Sequence, residues 1–345
     1  MSSVAKRSIL TANSRRLLAC GLLLLAAGVG IRLWHDHRAA NSALPTDIES
    51  LTQRATAQPN DAEARIALGS ALVKAGRLDD ARQVLIQADR LSPHDARPSV
   101  WLGMIAVQKH EVHDAIDAFE EALRRNPSDG DVCRSLGELY ERQGATAKSI
   151  PLYERAVQFR PEDAMAWRLL GVADLRIGRL ARGREALQRA VKLDRADLKA
   201  QSALGSVDLR LGLLDEALHS FQTVLDSAPD DPRALAGAAQ AAVQLDASPA
   251  TLRKAVLQVN RAISNHSTPQ CFLIRGNISL LRHRYPDAIR DLERAVSEDP
   301  NMAEAYGYLN QAYAATGRTD KARQAAADLV AAHERRKRLD PGQVR

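Results

Sequence analysis

Five glycines, Gly69, Gly103, Gly137, Gly171 and Gly205, follow one another at a step of 34 residues. Twelve positions after each comes a small residue: Ala81, Ala115, Ser149, Gly183 and Ala217. Ala88, Ala122, Ala156 and Ala190 keep the same step, and Pro93, Pro127, Pro161 and Pro229 fall in the same register. Self-similarity at this period means stacked supersecondary units, none able to bury its apolar face alone. Such a chain cannot collapse around one central core. It grows by addition.

With each repeat counted so that its first glycine is position 8, apolar residues occupy positions 4 to 7 and 11 or 12, as in Trp167, Leu170 and Leu175. That spacing marks one face of a helix. Position 15 is Gly76, Gly144, Gly178, Gly212 or Gly317, suited to the left-handed residue that ends a helix. Acids at position 18 (Asp79, Asp215, Asp320) suit the positive start of a second helix. The second helix places a bulky residue at position 24: Leu85, Phe119, Tyr153, Leu187 or Phe221. Small residues at 8, 20 and 27 let the two antiparallel helices approach closely, and proline at 32 ends the second.

Asp163-Ala-Met-Ala-Trp-Arg-Leu-Leu-Gly171 is the clearest copy of the first helix. Together with the alanines, aromatics and prolines above, it resembles the tetratricopeptide repeat family. The resemblance implies an all-α, right-handed superhelix of helix-turn-helix repeats that binds partner proteins in its concave groove. Five regular repeats are expected at 62–95, 96–129, 130–163, 164–197 and 198–231. A degenerate sixth spans 232–268, with Ala239 in the glycine slot and an insertion around Asp246-Ala-Ser-Pro249; two more lie at 269–302 and 303–336, the last with Asn310 in the slot. Asp47 to Gln58 is read as a lone helix ending the 35–61 lead-in, and 337–345 as a disordered tail.

Ahead of the repeats, residues 1–16 are basic and free of acids, and Leu17 to Ile31 is an uncharged apolar run that reaches Trp34 if Arg32 snorkels. Eighteen helical residues span about 27 Å, close to a hydrocarbon core. A single transmembrane signal anchor at 17–34 is the expectation; a cleaved signal peptide, giving a soluble exported protein, and a mitochondrial presequence are the alternatives. Leu17-Leu-Ala-Cys20 imitates a lipobox, but the apolar run follows the cysteine instead of preceding it. Four basic residues precede the run and two follow it, which places the repeats outside the cytoplasm of a bacterial inner membrane. The formal charge of +6 belongs to the ends: residues 1–16 carry +4, 32–38 carry +1 and 333–345 carry +3, leaving the repeats near −2. That balance argues against a general nucleic-acid surface.

No phosphate-binding loop, dinucleotide fingerprint or nucleophile elbow occurs, so no catalytic, cofactor or metal site is expected and the chain is read as a non-enzyme. Cys20, Cys133 and Cys271 have neither disulfide nor metal spacing. His110-Glu-Val-His113 lacks the i, i+4 spacing of a zinc protease; His110 and His283 both stand at position 15, where histidine tolerates left-handed geometry. The family resemblance puts ligand contacts near positions 2, 5, 9, 12 and 13. Position 5 supplies Arg134 and Arg168, and position 13 supplies Arg142, Arg176 and Arg210, with Glu138 and Glu141 offsetting them. Arginine forks grip carboxylates, so a protein or peptide ligand with an acidic segment fits this strip, and a solvated arginine-rich face is the alternative. The carboxylate clamp of chaperone-binding members needs Lys and Asn at positions 5 and 9, where this chain has Ile66/Ser70, Val100/Met104 and Arg134/Glu138.

The expected role is therefore a membrane-anchored adaptor in assembling cytochromes, pili, polysaccharide or the outer membrane. A glycan-binding or glycosyltransferase-associated module is the rival from another class. Because no repeat needs the anchor, removing residues 1–34 should leave helical circular dichroism intact and move the protein into the soluble fraction. Loss of the helical signal would show that the array is not independent.

Overall fold

The structure is a computed structural model that describes residues 48–339. These contain 17 helices and no strand. They fall into two compact units divided between Pro161 and Glu162. In the first unit, α1 (Ile48–Ala57) is followed by α2 (Ala62–Lys74), α3 (Leu78–Leu91), α4 (Arg97–Gln108), α5 (Val112–Arg125), α6 (Gly130–Arg142) and α7 (Thr146–Phe159). α1 packs on α2, and α2/α3, α4/α5 and α6/α7 form antiparallel pairs. The second unit holds α8 (Ala164–Arg176), α9 (Leu180–Leu193), α10 (Leu198–Leu211), α11 (Leu214–Ser227), α12 (Pro232–Leu245) and α13 (Pro249–Asn265). It continues with α14 (Pro269–Leu281), α15 (Tyr285–Glu298), α16 (Ala303–Ala315) and α17 (Thr319–Leu339), again paired in sequence.

Each pair is held where the small residues lie. A Cβ added to Gly103 would stand 2.6 Å from the Phe119 ring, and Phe119 is fully buried. In the α8/α9 pair the approach is backbone on backbone: a Cβ on Gly171 would meet the Gly183 carbonyl at 2.9 Å. Burying one such aromatic or Leu at position 24 is worth about 1.5–3 kcal/mol, and only a missing side chain opposite lets it enter.

The turns follow the same economy. Gly76, Gly144, Gly178, Gly212 and Gly317 all have positive φ, and the two positions where histidine replaces glycine do as well: φ is 61° at His110 and 57° at His283. These histidines serve the turn. First helices begin on a second periodic set, a ladder of aspartates. Asp61, Asp129, Asp163, Asp197 and Asp231 each accept backbone N–H bonds from the first turn of α2, α6, α8, α10 and α12. The acids at position 18 do a different job: Asp79, Asp215 and Asp320 lie inside the first turns of α3, α11 and α17, complementing the dipole without capping.

The degenerate sixth repeat still pairs. Ala239 fills the glycine slot fully buried, while Gly237 meets the face of Phe221, where a Cβ would come within 2.3 Å. The inserted residues build a new start for the longer α13: Ser248 caps it by accepting from Thr251 N at 3.3 Å, and Asp246 accepts from Ser248 N and Thr251 Oγ1.

One boundary differs from expectation. α17 continues to Leu339, so residues 337–339 are helical and not part of a disordered tail. A cationic last turn favours the negative end of the helix, and Arg335 ties α17 down by donating to the Pro300 carbonyl at 2.7 Å and Asn301 Oδ1 at 3.2 Å. Among the described residues no helix is long and apolar enough to cross a membrane; the apolar run 17–34, the tail 1–16 and residues 340–345 lie outside them.

Gly103→Ala should lower the unfolding midpoint, at a cost of about 1–3 kcal/mol from overpacking. Gly307, with nothing within 4 Å of its would-be Cβ, gives the control: Gly307→Ala should stabilise α16 by about 0.5–1 kcal/mol. Equal shifts in urea melts of the two variants would mean that the close approach does not hold the pair.

Candidate functional site

Side chains on the first helices sort into two populations. Position 5, expected to line an open groove, is buried in five repeats, at Ile66, Val100, Arg134, Ala236 and Leu273, and half-buried in the other three, at Arg168, Ser202 and Gly307. The reason is stacking, since within each unit α2 packs on α4, α12 on α14 and α14 on α16, as well as on their pair partners. Position 13 behaves oppositely. Lys74, Gln108 and Arg142 in the first unit, and Arg176, Arg210, Gln244, Leu281 and Ala315 in the second, are all exposed at the last turns of their helices.

The six expected contact residues divide along that line. Arg134 has 2% of its side chain exposed and lies between Asp131 Oδ1 at 3.4 Å and Glu138 Oε1 at 3.5 Å. Asp131 is in turn bonded by Arg160. Arg134 is thus an interior cation matched by carboxylates, not a fork turned to solvent, and Glu138 is one of its partners. Arg168 spends its charge similarly on Asp197, the cap of α10, at 2.7 Å with 11% of its side chain exposed. Arg142, Arg176 and Arg210 are the exposed members. Arg210 donates from Nη1 to the Leu175 carbonyl at 3.0 Å, which sets its guanidinium over the end of α8.

Position 11 carries a polar link between successive pairs. Tyr140 donates to Glu120 at 2.5 Å and Tyr313 to Glu293 at 2.5 Å. The Glu120 bond, reinforced by burial, pushes the Tyr140 hydroxyl up to about 12. Burial first, and the Glu293 bond second, raise Tyr313. In two repeats the same slot holds an acid. Asp208, 1% exposed, meets Arg184 Nε at 2.5 Å, and burial raises its pKa above the usual carboxylate value despite that partner. Asp174, 0% exposed, is approached by Arg182 Nε at 3.1 Å and Arg179 Nη1 at 3.7 Å.

Among the described residues no group of three or more His, Cys, Asp or Glu could hold a metal ion. Burial pushes the Cys133 thiol up to about 11, which disfavours the reactive thiolate. A hollow lined by Gln240, Val243, Ile274, Asn277, Glu304 and Tyr308 has a volume of about 10 Å³, room for one water. What the exposed helix ends offer is a sequence-variable edge on a repetitive frame.

Tetratricopeptide repeat models match residues 40–99, 102–164, 148–197, 202–263 and 279–339. Among solved structures, YrrB, described as a TPR protein with an unusual peptide-binding site, has 23% identity and a TM-score of 0.51 over 55% of this chain and 97% of its own. The APC/C hetero-tetramer Cut9–Hcn1 gives 16% identity and a TM-score of 0.52 over 77% of this chain and 52% of the matched one. A tetratricopeptide repeat protein from Parabacteroides merdae gives 19% identity and a TM-score of 0.48 over 73% and 98%. At these identities the likeness concerns fold. No curated protein matches the chain.

The burial difference makes a direct test. Arg134→Glu would set a third carboxylate between Asp131 and Glu138 and should destabilise the protein by about 3–5 kcal/mol, the cost of breaking a buried ion pair. Arg142→Glu should stay within about 0.5 kcal/mol of the parent. Equal thermal midpoints for the two variants would return Arg134 to the exposed population.

Proposed function

This chain belongs to the tetratricopeptide repeat family, and from that membership we propose that it is a non-catalytic scaffold, held at a membrane through residues 17–34, that binds partner proteins in assembly of a bacterial cell envelope. One observation carries the scaffold reading. Positions 8, 20 and 27 are small and buried in each of the first four repeats to hold the pairs, while position 13, exposed in every repeat, changes from lysine and arginine to glutamine, leucine and alanine. Geometry is served by the fixed positions. The varied ones are free to recognise a partner.

The membrane and envelope parts of the proposal rest on the sequence: an uncharged apolar run with more basic charge before it than after it. A peptide or protein is the ligand class, in keeping with the peptide-binding site described for YrrB. Because Arg134 and Arg168 are held by carboxylates of the fold, the contacts proposed here are the exposed residues at the ends of the first helices.

In-cell crosslinking followed by purification through a C-terminal tag tests the whole reading. Components of one envelope assembly machine should be recovered, and protease added outside spheroplasts should digest the repeats. Recovery of ribosomal proteins or cytoplasmic enzymes, with repeats protected from protease, would overturn the orientation and the pathway together.

A further inference from the structure

Gly307 differs from the other described glycines in having no steric duty. The turn glycines have positive φ, and every other helical glycine would bring a Cβ within 2.9 Å of a packed neighbour, whereas a Cβ at Gly307 would meet nothing within 4 Å. A glycine in the middle of a helix weakens it. Neither a turn nor a close helix pair accounts for this one. The remaining use of a residue without a side chain is to let another backbone approach.

The helix face around Gly307 is polar in a regular way. α12, α14 and α16 pack on one another in sequence. At position 9 they carry Gln240, Asn277 and Gln311, three carboxamides in a row, where the earlier repeats have Ser70, Met104, Glu138, Val172 and Ser206. Gln240 and Asn277 line the water-sized hollow described above together with Glu304 and Tyr308. Gln240 accepts from Gln270 through its oxygen at 3.4 Å, a bond that does not use its NH2 group. Asn277 is half-buried, and its side chain, like those of Gln311 and Glu304, has no hydrogen-bond or ion-pair partner among the described residues. A carboxamide placed so is set to bond water or a ligand. Packed helices lie about 8–10 Å apart. A polyproline II chain advances about 3.1 Å per residue with three residues per turn, about 9 Å in all, and leaves every carbonyl free of internal bonds. One carboxamide per helix therefore matches one carbonyl per turn of such a chain, a register that a strand of period two does not keep.

We propose that the shared face of α12, α14 and α16 binds an extended, polyproline II segment of a partner protein. Gln240, Asn277 and Gln311 donate to its main-chain carbonyls, Gly307 gives its backbone room beside the Tyr308 ring, and Glu304 takes a basic side chain. The site goes beyond the helix-end contacts and rests on the scaffold reading, because it supplies a partner's chemistry. Glu304 is the one charged residue lining the hollow, so the segment is basic at that point and not acidic. A polysaccharide also offers groups to carboxamides, but Tyr308 is the one aromatic ring in the lining and the spacing is that of a polypeptide turn.

The test is fluorescence anisotropy with the full chain in detergent micelles, the probe being a labelled Ser-Pro-Ala repeat peptide of about ten residues with one central lysine. Gly307→Leu should weaken binding about tenfold, the loss of a main-chain contact and of the space beside it. Its thermal midpoint should stay at or above that of the parent, because leucine is the better helix former and meets open space. Asn277→Ala should weaken binding about fivefold, and glutamate in place of the peptide's lysine should also weaken it. No binding by the parent, undiminished binding by Gly307→Leu, or equal binding of an alanine-rich helical peptide of the same charge would each overturn the proposal. So would tighter binding of the glutamate peptide or a preference for a labelled chito-oligosaccharide. A Gly307→Leu chain that keeps its cellular crosslinks would remove this site and leave the scaffold standing. A parent chain that binds the peptide but crosslinks to no protein would do the reverse.

Discussion

The approach of two antiparallel helices at a residue without a side chain is the contact from which the rest follows. Gly69 faces Leu85, Gly103 faces Phe119, Gly137 faces Tyr153 and Gly276 faces Leu292, each at a separation that no Cβ would tolerate. Dispersion falls steeply with distance, so a large side chain gains its full contact energy only if the opposing helix lies against it. Once that distance is set, each pair presents a constant outer shape, and constant shapes stack. The 34-residue register is the sequence record of this one distance.

A stacked frame decides what each position can be used for. Within a unit a first helix touches its own partner and the second helix before it, and in several pairs a neighbouring first helix as well, which is why position 5 is buried or half-buried while position 13, at the helix end, is exposed. A charge at position 5 must then be matched inside. Arg134 has Asp131 and Glu138, and Arg168 has the cap residue Asp197. Desolvating an arginine is tolerable only with such partners, so these side chains are committed to the fold. Charges at position 13 carry no such requirement, and there the chain places Lys74, Arg142, Arg176 and Arg210 beside uncharged residues in other repeats.

This separates what the sequence reveals from what it conceals. Helix pairing and turn chemistry are legible, because glycine at position 15 and small residues at 8 and 20 answer local steric demands that survive in composition; even His110 and His283 announce their positive φ by occupying a glycine slot. The capping ladder of aspartates was harder to see: Asp61 and Asp79 are both acids near a helix start, and only backbone geometry shows that the first caps and the second merely sits in the dipole. The candidate contacts were half legible. A helical wheel tells which face of a first helix Arg134 occupies, but not that neighbouring helices bury that face, since burial there comes from packing between repeats. Arg142, Arg176 and Arg210 escaped the ambiguity because helix ends stay open in a stack.

Position 11 links the core to the charged edge. In the third and eighth repeats a tyrosine there reaches back to a glutamate of the preceding pair, Tyr140 to Glu120 and Tyr313 to Glu293, so the slot is filled by an aromatic ring and its one hydroxyl is satisfied. In the fourth and fifth repeats the slot holds Asp174 and Asp208 instead. A buried carboxylate needs cations, and the nearest places that supply them are the turn and the start of the second helix: Arg179 and Arg182 for Asp174, Arg184 for Asp208. Aspartate in this slot therefore comes with arginines beside it, at the turn and first residues of α9 for Asp174 and within α9 of the preceding pair for Asp208. One interior substitution thus sets charge at the surface, where Arg179 and Arg182 stand half exposed over Asp174.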